Sequence, residues 1–140
     1  MRGPLFNEQP IVTVAVDVDE VLCRFVDTLA AWHNATYGGC LSAADFHSYH
    51  FADVFGDSDE VVRVKMEAFF SSEAFEALPP VAGAAATLRS LQKRSFRFVV
   101  VTSRNLSVEA ATRAWLHEHF PGLFEGVLFG NHYGLTGPKM

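Results

Sequence analysis

Apolar residues are spaced along this chain in two ways. The runs IVTVAV (11–16), FRFVVVT (96–102) and GVLF (126–129) are short and β-branched. The first two are almost continuously apolar, which predicts parallel strands covered on both faces. Between these runs the period becomes helical. Val21, Leu22, Phe25, Leu29 and Trp32 share one face of a helix predicted over 21–36, with Gly38-Gly39 as its stop. A second helix is expected after GDSDE, with Asp57 and Glu60 as a capping-box-like pair and Val62, Met66, Phe69 and Phe70 as its apolar stripe. Residues 82–94 predict a third, ending in Lys93-Arg94. Residues 107–120 predict a fourth, capped by Ser107 and stopped by Pro121-Gly122.

Strand, helices, strand, helix, strand is the order of an α/β fold with a parallel sheet and right-handed crossovers. About 80 residues separate the first two strands, far more than a crossover needs, so a helical element over roughly 24–80 is inserted after the first strand. Its phenylalanine-rich stretches, FHSYHFADVF and EAFFSSEAFEALPP, suit a small helical cap better than a long loop. The expected organisation is a core of 1–23 and 81–140 with the insert 24–80.

The 140 residues, 49% of them hydrophobic, are enough to bury one sizeable core. A net charge of -5 provides no basic field for a polynucleotide, although a single nucleotide is still compatible with it. MRGPLFNEQP has no apolar signal core and no apolar run approaches about 20 residues, so a cytoplasmic protein without a membrane partner is expected. Cys23 and Cys40 lack both a disulfide framework and metal-ligand spacing, and are expected as free, buried thiols.

The chemistry lies at the strand ends. In TVAVDVDEVLC two carboxylates, Asp17 and Asp19, follow the first strand, and Thr102-Ser103-Arg104 closes the second. Open α/β sheets bind ligands beyond the carboxyl ends of their strands. Along an extended chain, residues i and i+2 share a face roughly 6–7 Å apart, so both carboxylates can address one small group. One can attack phosphorus while the other protonates the leaving oxygen, and the hydroxyls of Thr102 and Ser103 can bind the phosphoryl oxygens. A divalent cation would offset the repulsion between two carboxylates and a phosphate. Asp-x-Asp also fits a surface turn, a calcium loop or the metal pair of a nucleotide-sugar glycosyltransferase; the second strand end favours the phosphoryl site. Arg104 would meet the substrate or pair with an acid. His47 and His50 read as packing residues, and His117 and His119, two apart on a helix, as solvated positions.

DVDEVLCRF resembles the first motif of the haloacid dehalogenase (HAD) superfamily of phosphohydrolases, and VVVTSR its second. Within that superfamily the layout resembles the 5'(3')-deoxyribonucleotidases, in the insert, in FFSSEAFEALPPVAGAAATLRSL and in AWLHEHFPGLFEGV, from about residue 11 to 130. The resemblance implies a HAD-like, Rossmann-like parallel sheet in three α/β/α layers. It implies a Mg²⁺-dependent phosphomonoesterase acting on a small phosphorylated substrate, extending to a nucleoside monophosphate. Asp17 would be nucleophile and Mg²⁺ ligand. Asp19 would be general acid, then base, with its backbone carbonyl on the metal. Thr102 and Ser103 would bind phosphate, and Lys139, the only lysine beyond the second motif, joins them as a phosphate-binding candidate.

The sequence departs from the family in two places. Glycine usually follows Asp-x-Asp, and here Glu20 does. The acids of the fourth motif have no counterpart, since no Asp or Glu follows Glu125. The expectations are therefore a C-terminally truncated chain, a first strand with an unpaired apolar edge open to homo-oligomerisation, and, as the alternative function, a catalytically impaired phosphate-binding or interaction protein.

Overall fold

The β-branched runs become three strands, β1 (Val12–Val16), β2 (Phe96–Thr102) and β3 (Phe124–Phe129), in a parallel sheet of order β1-β2-β3. This computed structural model describes residues 10–130. They form two compact units, one of the chain up to Val18 with that from Ala82 onward, the other of Asp19–Val81. No helix among the described residues is long and apolar enough to cross a membrane.

In the sheet unit β1 pairs with β2 from Val12↔Phe96 to Val16↔Val100, and β2 with β3 up to Thr102↔Phe129, with a register irregularity between Phe98 and Val100. The helices are α5 (Ala84–Gln92), before β2, and α6 (Glu109–His119), between β2 and β3. Buried Phe98 and Val100 lie on one face of β2, and Phe98, Phe124, Phe120 and Trp115 make successive ring contacts of 5.7–6.4 Å. Both crossovers advance in one direction across the sheet, and right-handedness then places α5 and α6 on the same face. The α/β parallel fold is as expected. Val101 and Leu128, a register pair on the other face, are 42% and 64% exposed. Among the described residues the outer edge of β1 is unpaired, with Ile11 and Val12 exposed.

The helical unit contains α1 (Phe25–Tyr37), α2 (Phe51–Phe55), α3 (Asp59–Phe70) and the single turn α4 (Glu73–Glu76). Phe69, fully buried, contacts Phe25, Trp32, Phe70 and Phe75 at ring separations of 5.2–6.0 Å. The helix starts differ from expectation for local reasons. Ser58, not Asp57, caps α3 by accepting from the Val61 amide. Asn105 accepts from the Ser107 amide and begins a short 3-10 turn ahead of α6, displacing Ser107 as cap. Cys40, expected to be buried, is exposed beyond the Gly38-Gly39 stop, whereas Cys23 is buried.

Asp57 serves a different purpose from capping. Its carboxylate lies 2.7 Å from Lys65 Nζ, which also lies 2.9 Å from His33 Nε2 and 4.4 Å from the centre of the Tyr37 ring. His33 is buried and stacked on Phe55. Burial, and then the Lys65 charge, push its pKa below the ordinary 6.5, against a smaller upward pull from Asp57. His50 is held at 2.6 Å by Asp59 and 3.2 Å by Asp53, and these hydrogen bonds, Asp59 first, raise its pKa.

Two predictions follow from this unit. Phe69→Ala is expected to cost about 3–5 kcal/mol in chemical denaturation, because the ring is central and fully buried. The histidines act oppositely on pH dependence. With its folded pKa below 6.5, His33 takes its proton first in the unfolded chain, so its contribution is intact above that pH and lost below it. His50, raised, stabilises in acid and gives this up as pH rises through its folded value. The melting temperature of His50→Asn should therefore fall more steeply than that of the wild type between about pH 7.5 and about 5.5. Parallel curves would contradict the assignment.

Candidate functional site

β1 and β2 run in the same direction, and their register fixes which side chains reach the same end of the sheet. Val16, the last residue of β1, pairs with Val100; Asp17 is the next residue, and Thr102 closes β2 two positions on. Asp17 and Thr102 thus stand at the carboxyl end of adjacent parallel strands, whose spacing is about 4.8 Å. Asp17 is exposed. One of its oxygens accepts from the Val18 amide at 2.7 Å, and no ion pair engages it among the described residues.

Thr102 is 2% exposed and bonded on both sides. Its carbonyl accepts from the Gly130 amide at 2.6 Å, and its hydroxyl oxygen accepts from the Arg104 amide at 3.2 Å. A threonine hydroxyl has one proton and two lone pairs, so with a lone pair occupied by Arg104 the proton is left to donate. Ser103, between them, is exposed. Arg104 is buried and donates from Nη1 to the Thr112 hydroxyl of α6 at 2.9 Å. This tie between the strand end and α6 has no spacing signature in the sequence.

Asp19 belongs to the helical unit. The strand ends at Val16 and the chain bends at Val18, so the extended-chain spacing used to place both carboxylates on one face does not carry through to Asp19. A local turn holds it instead. The Glu20 amide donates to the Cys23 carbonyl at 3.0 Å, and the Cys23 thiol donates to Asp19 Oδ1 at 3.4 Å. Glu20 sits at φ 64°, the left-handed conformation glycine adopts without steric cost. Its carboxylate accepts from the Val26 amide at 2.6 Å, at the start of α1, where the N-cap residue Arg24 supplies no side-chain bond. The third acid is thus committed to a helix terminus.

Lys139 lies outside the described residues. His117 is exposed, and His119 rests beside Trp115 at 4.8 Å. No group of three or more His, Cys, Asp or Glu side chains that could hold a metal occurs among the described residues. The Asp17 carboxylate and the Asp19 backbone carbonyl nevertheless offer hard oxygens of the kind Mg²⁺ takes, since that ion commonly binds one or two carboxylates and keeps water or substrate oxygens in its other positions. A cavity of about 480 Å³ lined by Gln92, Lys93, Arg97, Gly122, Phe124 and Glu125 contains none of the candidate residues.

Several solved structures share this fold. The chain aligns with a predicted phosphatase from Clostridium acetobutylicum at a TM-score of 0.63 and 16% identity, covering 91% of this chain and 64% of that one. A HAD family hydrolase from Deinococcus radiodurans, solved with bound phosphate and sodium, aligns at 0.59 and 20% identity, covering 93% and 62%. A HAD-superfamily hydrolase of subfamily IA from Geobacter sulfurreducens aligns at 0.57 and 19% identity, covering 91% and 66%. The chain spans less than two thirds of the length of each. No curated protein sequence is a significant match. A family model, described as 5' nucleotidase, deoxy (pyrimidine), cytosolic type C protein, matches residues 9–132. That match takes in both strand ends and the whole helical insert, and the chain belongs to this 5' nucleotidase family.

Proposed function

We propose that the protein is a phosphomonoesterase that passes its phosphoryl group through Asp17, with a nucleoside 5'-monophosphate as substrate class. The observation carrying the proposal is the placement of the exposed Asp17 carboxylate and the buried, proton-donating Thr102 hydroxyl at one end of the sheet. The family match and the phosphate bound by the Deinococcus radiodurans neighbour support it. In this reading an Asp17 oxygen attacks phosphorus and the bond to the leaving oxygen breaks, while Asp19 gives that oxygen its proton. Water then attacks the resulting acyl phosphate as the Asp19 carboxylate takes the water's proton, releasing phosphate and restoring the Asp17 carboxylate and the protonated Asp19. Thr102 and Ser103 donate to the phosphoryl oxygens, and Lys139 is kept as a further phosphate ligand. Asp17 and Asp19 would hold Mg²⁺, which when bound supplies positive charge against the anionic phosphoryl group. The helical insert 24–80 would act as the cap that selects the leaving group.

The test is release of inorganic phosphate from deoxynucleoside 5'-monophosphates and from a generic aryl phosphate, with and without Mg²⁺. Turnover should require the metal, cease on chelation, and drop by at least about 10³-fold in Asp17→Asn, which lacks the nucleophile. An unchanged rate in that variant would refute the proposal. Thermal stabilisation by phosphate without any turnover would instead establish a phosphate-binding protein.

A further inference from the structure

Cys23 is fully buried, and both its backbone and its side chain are engaged. Its backbone forms bridges to Asp19 and, antiparallel, to Pro80. On either side of it the chain leaving β1 is hydrogen-bonded to the chain returning toward α5: the Arg24 amide donates to the Pro79 carbonyl at 2.9 Å and the Val81 amide to the Leu22 carbonyl at 2.8 Å. Residues 22–24 and 79–81 are thereby a two-stranded neck at which the helical unit begins and ends. The Cys23 thiol donates to Asp19 Oδ1 at 3.4 Å. Asp19 is thus tied to the neck through both backbone and carboxylate.

We infer that Cys23 is a positioning residue for Asp19, its thiol holding the carboxylate in the rotamer from which it serves the leaving oxygen. This rests on the phosphomonoesterase reading for its consequence, but the positioning itself does not. A thiol is a weak donor that packs as a small apolar group, which suits a position fully buried beside a carboxylate that must still exchange a proton. Serine has a stronger donor on a shorter arm, and alanine has none.

The experiment uses the full chain as wild type, Cys23→Ser and Cys23→Ala, with two readouts. The first is the Asp19 χ1 distribution from three-bond couplings in isotopically labelled protein, alongside the melting temperature. The second is kcat and KM for aryl phosphate. Wild type and Cys23→Ser should hold a single Asp19 rotamer and share kcat within about twofold. Cys23→Ala should shift the Asp19 χ1 distribution and lose about threefold to tenfold in kcat with KM unchanged, the size expected for one modest hydrogen bond. An Asp19 χ1 distribution unchanged from wild type in Cys23→Ala would overturn the inference, as would equal losses in the serine and alanine variants, which would make the role one of packing. If the wild type shows no turnover, the phosphomonoesterase reading fails alone and the rotamer measurement still decides on Cys23. If Cys23→Ala does not fold, Cys23→Ser carries the test: a fixed rotamer sustains the inference and an averaged one overturns it.

Discussion

The β1–β2 register is the constraint from which the chemistry of the sheet unit follows. Two segments 80 residues apart in sequence pair so that Val16 meets Val100, and this alone brings Asp17 and Thr102 to one sheet end. A slip by one residue would turn every side chain of β1 to the other face and carry Asp17 along the sheet axis by about 3.3 Å. Parallel pairing across so long a separation gives no local reward until the strands meet, so the register has to be set by side chains. Buried Phe98 and Val100 do this, opposite Val14 and Val16.

What could be read in the sequence follows the same division. Strands announce themselves by continuous β-branched runs, and β2 is found over its predicted span, 96–102. The helix starts were less legible, because caps compete over one or two positions: Ser58 and Asn105 each won over a neighbour of similar chemistry. Asp17, Thr102 and Ser103 could be located because they are anchored to strand ends. Asp19 was placed by an extended geometry that ends at Val16, and what holds it instead is a five-residue turn closed by a thiol, which no periodicity encodes. The Arg104–Thr112 bond and the His33–Lys65–Asp57 group were illegible for another reason. Each joins residues from different elements, and only packing reveals them.

Glu20 shows how a departure from a family pattern can be resolved by local structure. The left-handed conformation there costs a non-glycine residue of order 1 kcal/mol. A carboxylate capping a helix start returns a similar amount. The turn thus keeps its shape with an acid where glycine is usual, because the acid bonds to the Val26 amide of α1. The exchange also couples the turn that bears Asp19 to the first helix of the insert, so whatever orders α1 also orders the turn.

Electrostatics sets the remaining condition. Asp17 and Asp19 are separated by one residue, and Val18 between them is fully buried, which limits how far the backbone there can relax. A phosphate dianion approaching Asp17 would meet like charge, and near a protein surface a unit pair at about 4 Å is worth roughly 4 kcal/mol. In the proposed reading neutral hydroxyl and amide donors at Thr102 and Ser103 would recover part of that by hydrogen bonding, but they bring no net charge. The nearby guanidinium of Arg104 is buried and bonded to Thr112. In the proposed reading a mobile divalent cation would supply the positive charge. On that reading the sheet unit would divide the work, with hydroxyl and amide donors positioning the phosphoryl group and a dissociable ion setting its charge balance.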